Sequence, residues 1–173
     1  MLDQLVFIDE FGASTQMQRT HGRAPKGQRV VAKVPHGHWK SISTIAAMTT
    51  RGMTACASFD GATDAELFAL FVREALVPTL VPGQIVVLDN LSAHKTPIVK
   101  RMVEEAGARL LPLPPYSPDL NPIEQAISKV KTILRSMARR EVKALFTAIK
   151  QALASISKDD AIAYMRHSGY PLQ

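Results

Sequence analysis

VVLDNLSAHK, residues 86–95, runs a short apolar segment into an aspartate and then straight into polar loop residues. Taken as IVVLD over 85–89, the apolar part is too short for a helix and rich in β-branched residues, so it reads as a strand covered on both faces. QLVFID over 4–9 has the same form and also closes on an aspartate. Burying an unpaired carboxylate is costly. Two strands that each finish on one therefore raise the question of what the acids face.

The intervening elements set the fold class. SISTIAAMTT (41–50) and MTACASF (53–59) flank a turn at Arg51 and Gly52 and read as a hairpin. The second arm places Met53, Ala55, Ala57 and Phe59 on one side and Thr54, Cys56 and Ser58 on the other, the pattern of a half-buried strand. TDAE (63–66) has capping-box spacing and opens a helix with Leu67, Leu70, Phe71 and Ala75 at helical intervals up to Pro78. Thr96 as N-cap and Pro97 at the first helical position open another, with Ile98, Val99, Met102 and Val103 facing inward and Gly107 closing it. ARLLPL (108–113) reads as a third short buried strand. The proline-rich PLPPYSPDLNP then leads into a long helix near 122–138, with further helices near 141–155 and 159–166.

Three consecutive strands followed by strands separated by helices imply an α/β fold. Its mixed sheet would be antiparallel on the hairpin side and parallel on the other, flanked by helices. Ligands of such sheets sit beyond the carboxyl ends of the parallel strands. If the strands ending at Asp9 and Asp89 are adjacent and parallel, the two carboxylates stand side by side, and like charges held close raise one pKa or demand a cation. Oxygen donors without a cysteine or histidine cluster favour magnesium or manganese over zinc. Glu124 in NPIEQ offers a third carboxylate, although Asn121 and Glu124 also have the spacing of a helix cap. The residues alone leave both readings open.

With 173 residues, 46% hydrophobic and 21% charged, the chain is expected to form one globular domain over 1–173. A net charge of +6 points to an anionic partner, nucleic acid first and an acidic membrane surface second. The charge is uneven. Arg19 to Lys40 holds six basic residues and no acidic one, with His21, His36, His38 and Trp39 interleaved, and Asn121 to Lys143 holds six basic residues against Glu124 and Glu141. The rest of the chain is net acidic. From these two segments Arg23, Lys26, Arg29, Lys33, Trp39, Lys129 and Lys131 are candidate DNA contacts. The single cysteine, Cys56, rules out an internal disulfide and is expected to be a small buried side chain in a reducing compartment. No apolar run nears the roughly 18 residues of a membrane span, and the start lacks a signal-peptide pattern, so the expected setting is cytoplasmic.

FIDE (7–10), VLDN with SAHK (87–90 and 92–95) and PPYSPDLNPIEQ (114–125) together resemble the catalytic domain of mariner-like DDE transposases, in their bacterial insertion-sequence branch. The 34 residues between Asp89 and Glu124 agree with the spacing of that branch. The resemblance covers roughly residues 5–140 and includes GRAPKGQ (22–28). Ala126 and Ile127 depart from it, standing where many relatives carry a large aromatic residue. The resemblance implies a ribonuclease H-like fold in which Asp9, Asp89 and Glu124 hold two Mg²⁺ (or Mn²⁺) ions, about 3.5–4 Å apart as in two-metal sites generally. It also implies metal-dependent cleavage of element ends, strand transfer into target DNA, a homodimer in the synaptic complex and a nucleoid-associated protein. The helix-turn-helix region that usually precedes this domain is expected to be absent here, which leaves two readings open: end recognition supplied by a separate reading-frame product, or a truncated remnant.

Asn90 and His94 are candidates for active-site support. Glu10 is assigned to the opposite strand face from Asp9. Two rivals remain. A receiver-type phosphorylation domain also ends strands on acids, but its strict strand–helix alternation and lack of any need for basic charge do not suit this chain. A non-catalytic DNA-binding remnant would use the basic surface alone.

Overall fold

The computed structural model describes residues 2–89 and 96–171. Its framework is a five-stranded sheet built from β1 (Leu5–Ser14), β2 (Ser41–Thr49), β3 (Gly52–Asp60), β4 (Ile85–Leu88) and β5 (Arg109–Pro112), in the order β3-β2-β1-β4-β5. β1 pairs antiparallel with β2 and parallel with β4, and β4 pairs parallel with β5. This is the mixed sheet expected from the sequence, with the parallel edge on the side of the acids.

Helices cover both faces. α1 (Ala65–Phe71), continued by a wider π-type turn through Leu76, and α2 (Pro97–Glu105) pack on one face with Val6, Ile8, Val86 and Leu88. α3 (Ile123–Met137), α4 (Val142–Ala154) and α5 (Lys158–His167) pack on the other with Phe7, Phe11 and Val87. Successive residues of a strand point to opposite faces. The apolar runs of β1 and β4 thus feed two cores at once, and each fully buried large side chain, such as Phe7 or Phe68, contributes about 1.5–3 kcal/mol.

Several local expectations change on folding. β1 does not stop at Asp9. It continues to Ser14 because β2 supplies a pairing partner from Phe7 to Ser14, long after β4 has ended. β5 is an edge strand and mostly exposed, so it is not the buried strand its apolar residues suggested; Leu111 is 48% accessible. Ile98 likewise faces outward, while Val99 and Val103 of α2 are fully buried. A bulge opposite Ala47 and Met48 inserts Thr54 into β3 and turns Met53 to the α3 side, away from Ala55, Ala57 and Phe59. Cys56 is exposed rather than buried. α1 is capped by Asp64, whose carboxylate accepts from the Glu66 and Leu67 N–H groups, and not by Thr63.

The base of the site is tied together by contacts from the end of the chain. The Tyr170 ring meets Phe7 edge-on at 5.1 Å, and its hydroxyl donates to the Leu120 carbonyl at 2.8 Å, linking β1 to the proline-rich segment before α3. At the start of α5, Ser157 and Asp160 form a capping box, and Lys129 of α3 donates to Asp160 Oδ2 at 2.7 Å. These bonds hold the Asp160 carboxyl down at about 2. A carboxyl lowered by folding adds stability above its unfolded value of ~3.9 and loses it as pH falls toward the folded value. Asp160→Ala is expected to cost about 1–2 kcal/mol at pH 7, the scale of a lost N-cap. The deficit relative to the parent should shrink between pH 4 and 2 in thermal or urea unfolding.

Candidate active site

The parallel register sets the site. Leu5, Val6 and Phe7 pair with Ile85, Val86 and Val87, and continuing that register by two residues puts Asp9 level with Asp89. Phe7 and Val87 both belong to the core under α3, and residues two apart share a face, so both aspartates point toward α3. Asp9 lies where β1 passes the end of β4, which opens space on its flank.

Glu124, in the first turn of α3, faces that space. A cleft of about 400 Å³ is lined by Asp9, Glu10, Glu124, Lys131 and Arg135 among others. A smaller one, about 170 Å³, is lined by Asp89, Asn121, Glu124 and the proline-rich segment from Leu113 to Pro118. Glu124 is common to both, so it borders the cleft of Asp9 on one side and that of Asp89 on the other. Partial desolvation raises the Glu124 carboxyl above its ordinary range, and Lys131 opposes that rise. Among the described residues no three acidic, histidine or cysteine side chains stand close enough to form a ready-made metal cluster. The donor set is nonetheless all carboxylate and amide oxygen, which suits a hard divalent cation.

Asn121 joins two of the acids, a role the sequence reading missed. Its side-chain amide donates to Asp9 Oδ2 at 3.1 Å, and its backbone carbonyl accepts from the Glu124 N–H at 3.1 Å. It is 3% accessible, and its Oδ1 has no hydrogen-bond partner. The helix-cap alternative for Glu124 therefore does not describe the fold: the position before α3 is Pro122, which makes no side-chain cap, and the Asn121 side chain turns to Asp9 instead. Asp9 Oδ1 also accepts from the Glu10 N–H at 2.7 Å. Glu10 touches the Asp9 cleft despite its assignment to the other face, because the cleft reaches around the strand where β4 has ended.

The remaining candidates scatter. Asn90 and His94 lie outside the described residues. Arg23, Lys26, Arg29, Lys33 and Trp39 sit in the exposed segment between β1 and β2, and none lines either cleft around the acids. Lys129 is committed to Asp160, whereas Lys131, two residues along α3, lines the Asp9 cleft. Two residues are about 200° of helix rotation, which explains why neighbouring lysines serve different sides.

A family profile described as DDE superfamily endonuclease matches residues 4–145. The chain belongs to the DDE superfamily endonucleases. No curated protein matches its sequence at a significant level. Among solved structures, this endonuclease domain is similar to the Mos1 transposase paired-end complex with left transposon end, at TM-score 0.74 and 16% identity over 97% of this chain and 52% of that one. It is also similar to the Mos1 mariner paired end complex with Mn (TM-score 0.74, 17% identity, 98% and 52% coverage). The isolated catalytic domain of Mos1 mariner transposase matches at TM-score 0.64 and 16% identity, over 97% of this chain and 76% of that one. The chain thus spans about half the length of the transposase chains in the paired-end complexes. At these identities the likeness is one of fold, the ribonuclease H-like mixed sheet with flanking helices.

Proposed function

We propose that this DDE endonuclease domain is the catalytic part of a transposase of the bacterial insertion-sequence branch, cutting DNA strands and joining them to target DNA with Mg²⁺ or Mn²⁺. The observation that carries the reading is the register that sets Asp9 level with Asp89 on the face covered by Glu124. Asp9, Asp89 and Glu124 would hold the cations. When bound, divalent ions there supply charge neutralisation at a phosphate and a more acidic attacking hydroxyl.

The work of the chain itself is placement. The sheet fixes the two aspartates through backbone pairing, Asn121 orients Asp9, and Lys131 brings positive charge toward the Asp9 cleft. Hydrolysis and strand transfer are both in-line attacks at phosphorus, so one site serves both without a covalent enzyme intermediate. The presence of transposon end DNA, Mn and Mg in structures of the Mos1 relatives supports this reading. So does the net charge of +6. On this reading the protein works as a homodimer in a synaptic complex on the bacterial nucleoid.

The test uses supercoiled plasmid, which needs no knowledge of the terminal repeats. Nicking is expected with Mg²⁺ or Mn²⁺ and none with EDTA. Plasmid binding without nicking in either metal would overturn the proposal and favour the non-catalytic remnant.

A further inference from the structure

Asn121 holds Asp9, yet no regular element holds Asn121. Its backbone, at φ −110° and ψ 89°, lies between the short 3-10 turn of Pro118–Leu120 and the start of α3. A side chain presented from such a position is aimed only as well as the peptide unit that carries it. The unit joining Leu120 to Asn121 is bonded at both of its polar groups. The Asn121 N–H donates to the Pro118 carbonyl at 2.9 Å, a local bond of the turn. The Leu120 carbonyl accepts from the Tyr170 hydroxyl at 2.8 Å, across 50 residues of sequence.

Tyr170 is itself placed by the fold. α5 is fastened to α3 by the pair of Lys129 and Asp160, and it buries Ala161 and Met165 completely. Gly169 ends it in the left-handed conformation, at φ 85°. The Gly169 N–H donates to the Arg166 carbonyl and the Tyr170 N–H to the Met165 carbonyl, both at 3.0 Å, the paired bonds of a Schellman motif. The backbone of Tyr170 therefore leaves α5 in a set direction, and its ring meets Phe7 edge-on. Phe7 stands two residues before Asp9 on the same face of β1. One side chain thus touches the neighbour of Asp9 and the carbonyl next to Asn121, tying together the same two elements that the Asn121 amide joins at the site.

We propose that Tyr170 is a positioning residue of the acidic site: its hydroxyl fixes the peptide between Leu120 and Asn121, and through it the Asn121 amide on Asp9, so that it sets the affinity of the site for a divalent cation. This rests on the reading of Asp9 as a cation ligand and adds a residue which that reading does not call for. The net worth of one such hydrogen bond corresponds to about 2- to 10-fold in a local opening equilibrium.

Tyr170→Phe keeps the ring on Phe7 and removes only the hydroxyl. The first readout needs no metal. The amides of Leu120, Asn121 and Glu124 donate to the Ser117, Pro118 and Asn121 carbonyls. In hydrogen exchange of the metal-free protein they are expected to exchange about 2- to 10-fold faster in Tyr170→Phe, while those of β1 keep the parental rate. The second readout is calorimetric titration with Mn²⁺, in which the same variant should bind more weakly by a similar factor. The third places Tyr170→Phe in an Asn121→Leu background, where Asp9 has already lost its amide partner. There exchange should still quicken, while the further loss of Mn²⁺ affinity should fall below about twofold. Tyr164→Phe, which removes a hydroxyl near Asp160 on the same helix, should leave both quantities at the parental values.

A merely structural tyrosine would lower the melting temperature and leave Mn²⁺ affinity per folded molecule unchanged, and that result overturns the proposal. Additive losses in the double variant, equal losses in Tyr164→Phe, or a parent that binds no Mn²⁺ overturn it as well. A parent that shows these couplings but never nicks plasmid keeps Tyr170 at the cation site and loses the nuclease reading; one that nicks while its Mn²⁺ affinity ignores Tyr170 loses only the proposal.

Discussion

Asp89→Asn is expected to lower the rate of metal-dependent strand cleavage by 10²-fold or more, the scale of removing a principal electrostatic group from a catalytic centre. The substitution keeps the shape of the side chain and removes one negative charge, so its effect reports charge rather than packing. Asp89 follows directly on β4, whose residues 86–88 are buried and whose residues 85–87 are paired on both sides, so its backbone is fixed by strands the substitution does not touch. Asp9→Asn should have an effect of the same order, since the register sets the two carboxylates level on one face. DNA affinity in EDTA should hold or rise slightly, because one charge that repels phosphate has gone. Single-turnover cleavage rates and fluorescence binding curves for parent and variants decide the matter. A cleavage rate within threefold of the parent would remove Asp89 from the mechanism.

The legible part of the site is the part that depends on strands. A run such as IVVL has few ways to be buried, and once β1 and β4 pair in parallel, two aspartates eighty positions apart in sequence fall level with each other by geometry alone. The less legible part depends on what lies across a gap. Nothing local says that β1 should run past Asp9 to Ser14, because that extension is dictated by β2. Nothing local separates Lys129 from Lys131 until the position of α5 shows which one meets Asp160. β5 and Ile98 look like core by composition, yet an edge strand and an outer helix face leave Leu111 and Ile98 half in water. The bulge at Thr54 moves Met53 to the other core against the alternation of its neighbours. Asn121 was hidden for a different reason: the spacing to Glu124 is that of a helix cap, and only the folded loop shows its amide reaching Asp9 across 112 residues of sequence.

Asn121→Leu is expected to cost 10- to 100-fold in cleavage rate and in Mg²⁺ or Mn²⁺ affinity, the usual loss when a group that orients a metal-binding carboxylate is removed. In the proposed function Asn121 is a positioning residue, bonded to Asp9 through its amide and to the Glu124 N–H through its backbone carbonyl. Stability should respond differently. Asn121 is 3% accessible with an unsatisfied Oδ1, and a buried polar atom without a partner costs about 1–3 kcal/mol, which leucine would relieve. The lost bond from the amide to a carboxylate is worth about 1.5–3 kcal/mol in the other direction. The two nearly offset, so the unfolding free energy should move by about 1 kcal/mol or less while activity and metal affinity fall together. Calorimetric metal titration, plasmid nicking and urea unfolding of the same preparation give the three quantities. If stability collapsed and metal affinity per folded molecule stayed at the parental value, Asn121 would be a packing residue and its bond to Asp9 incidental.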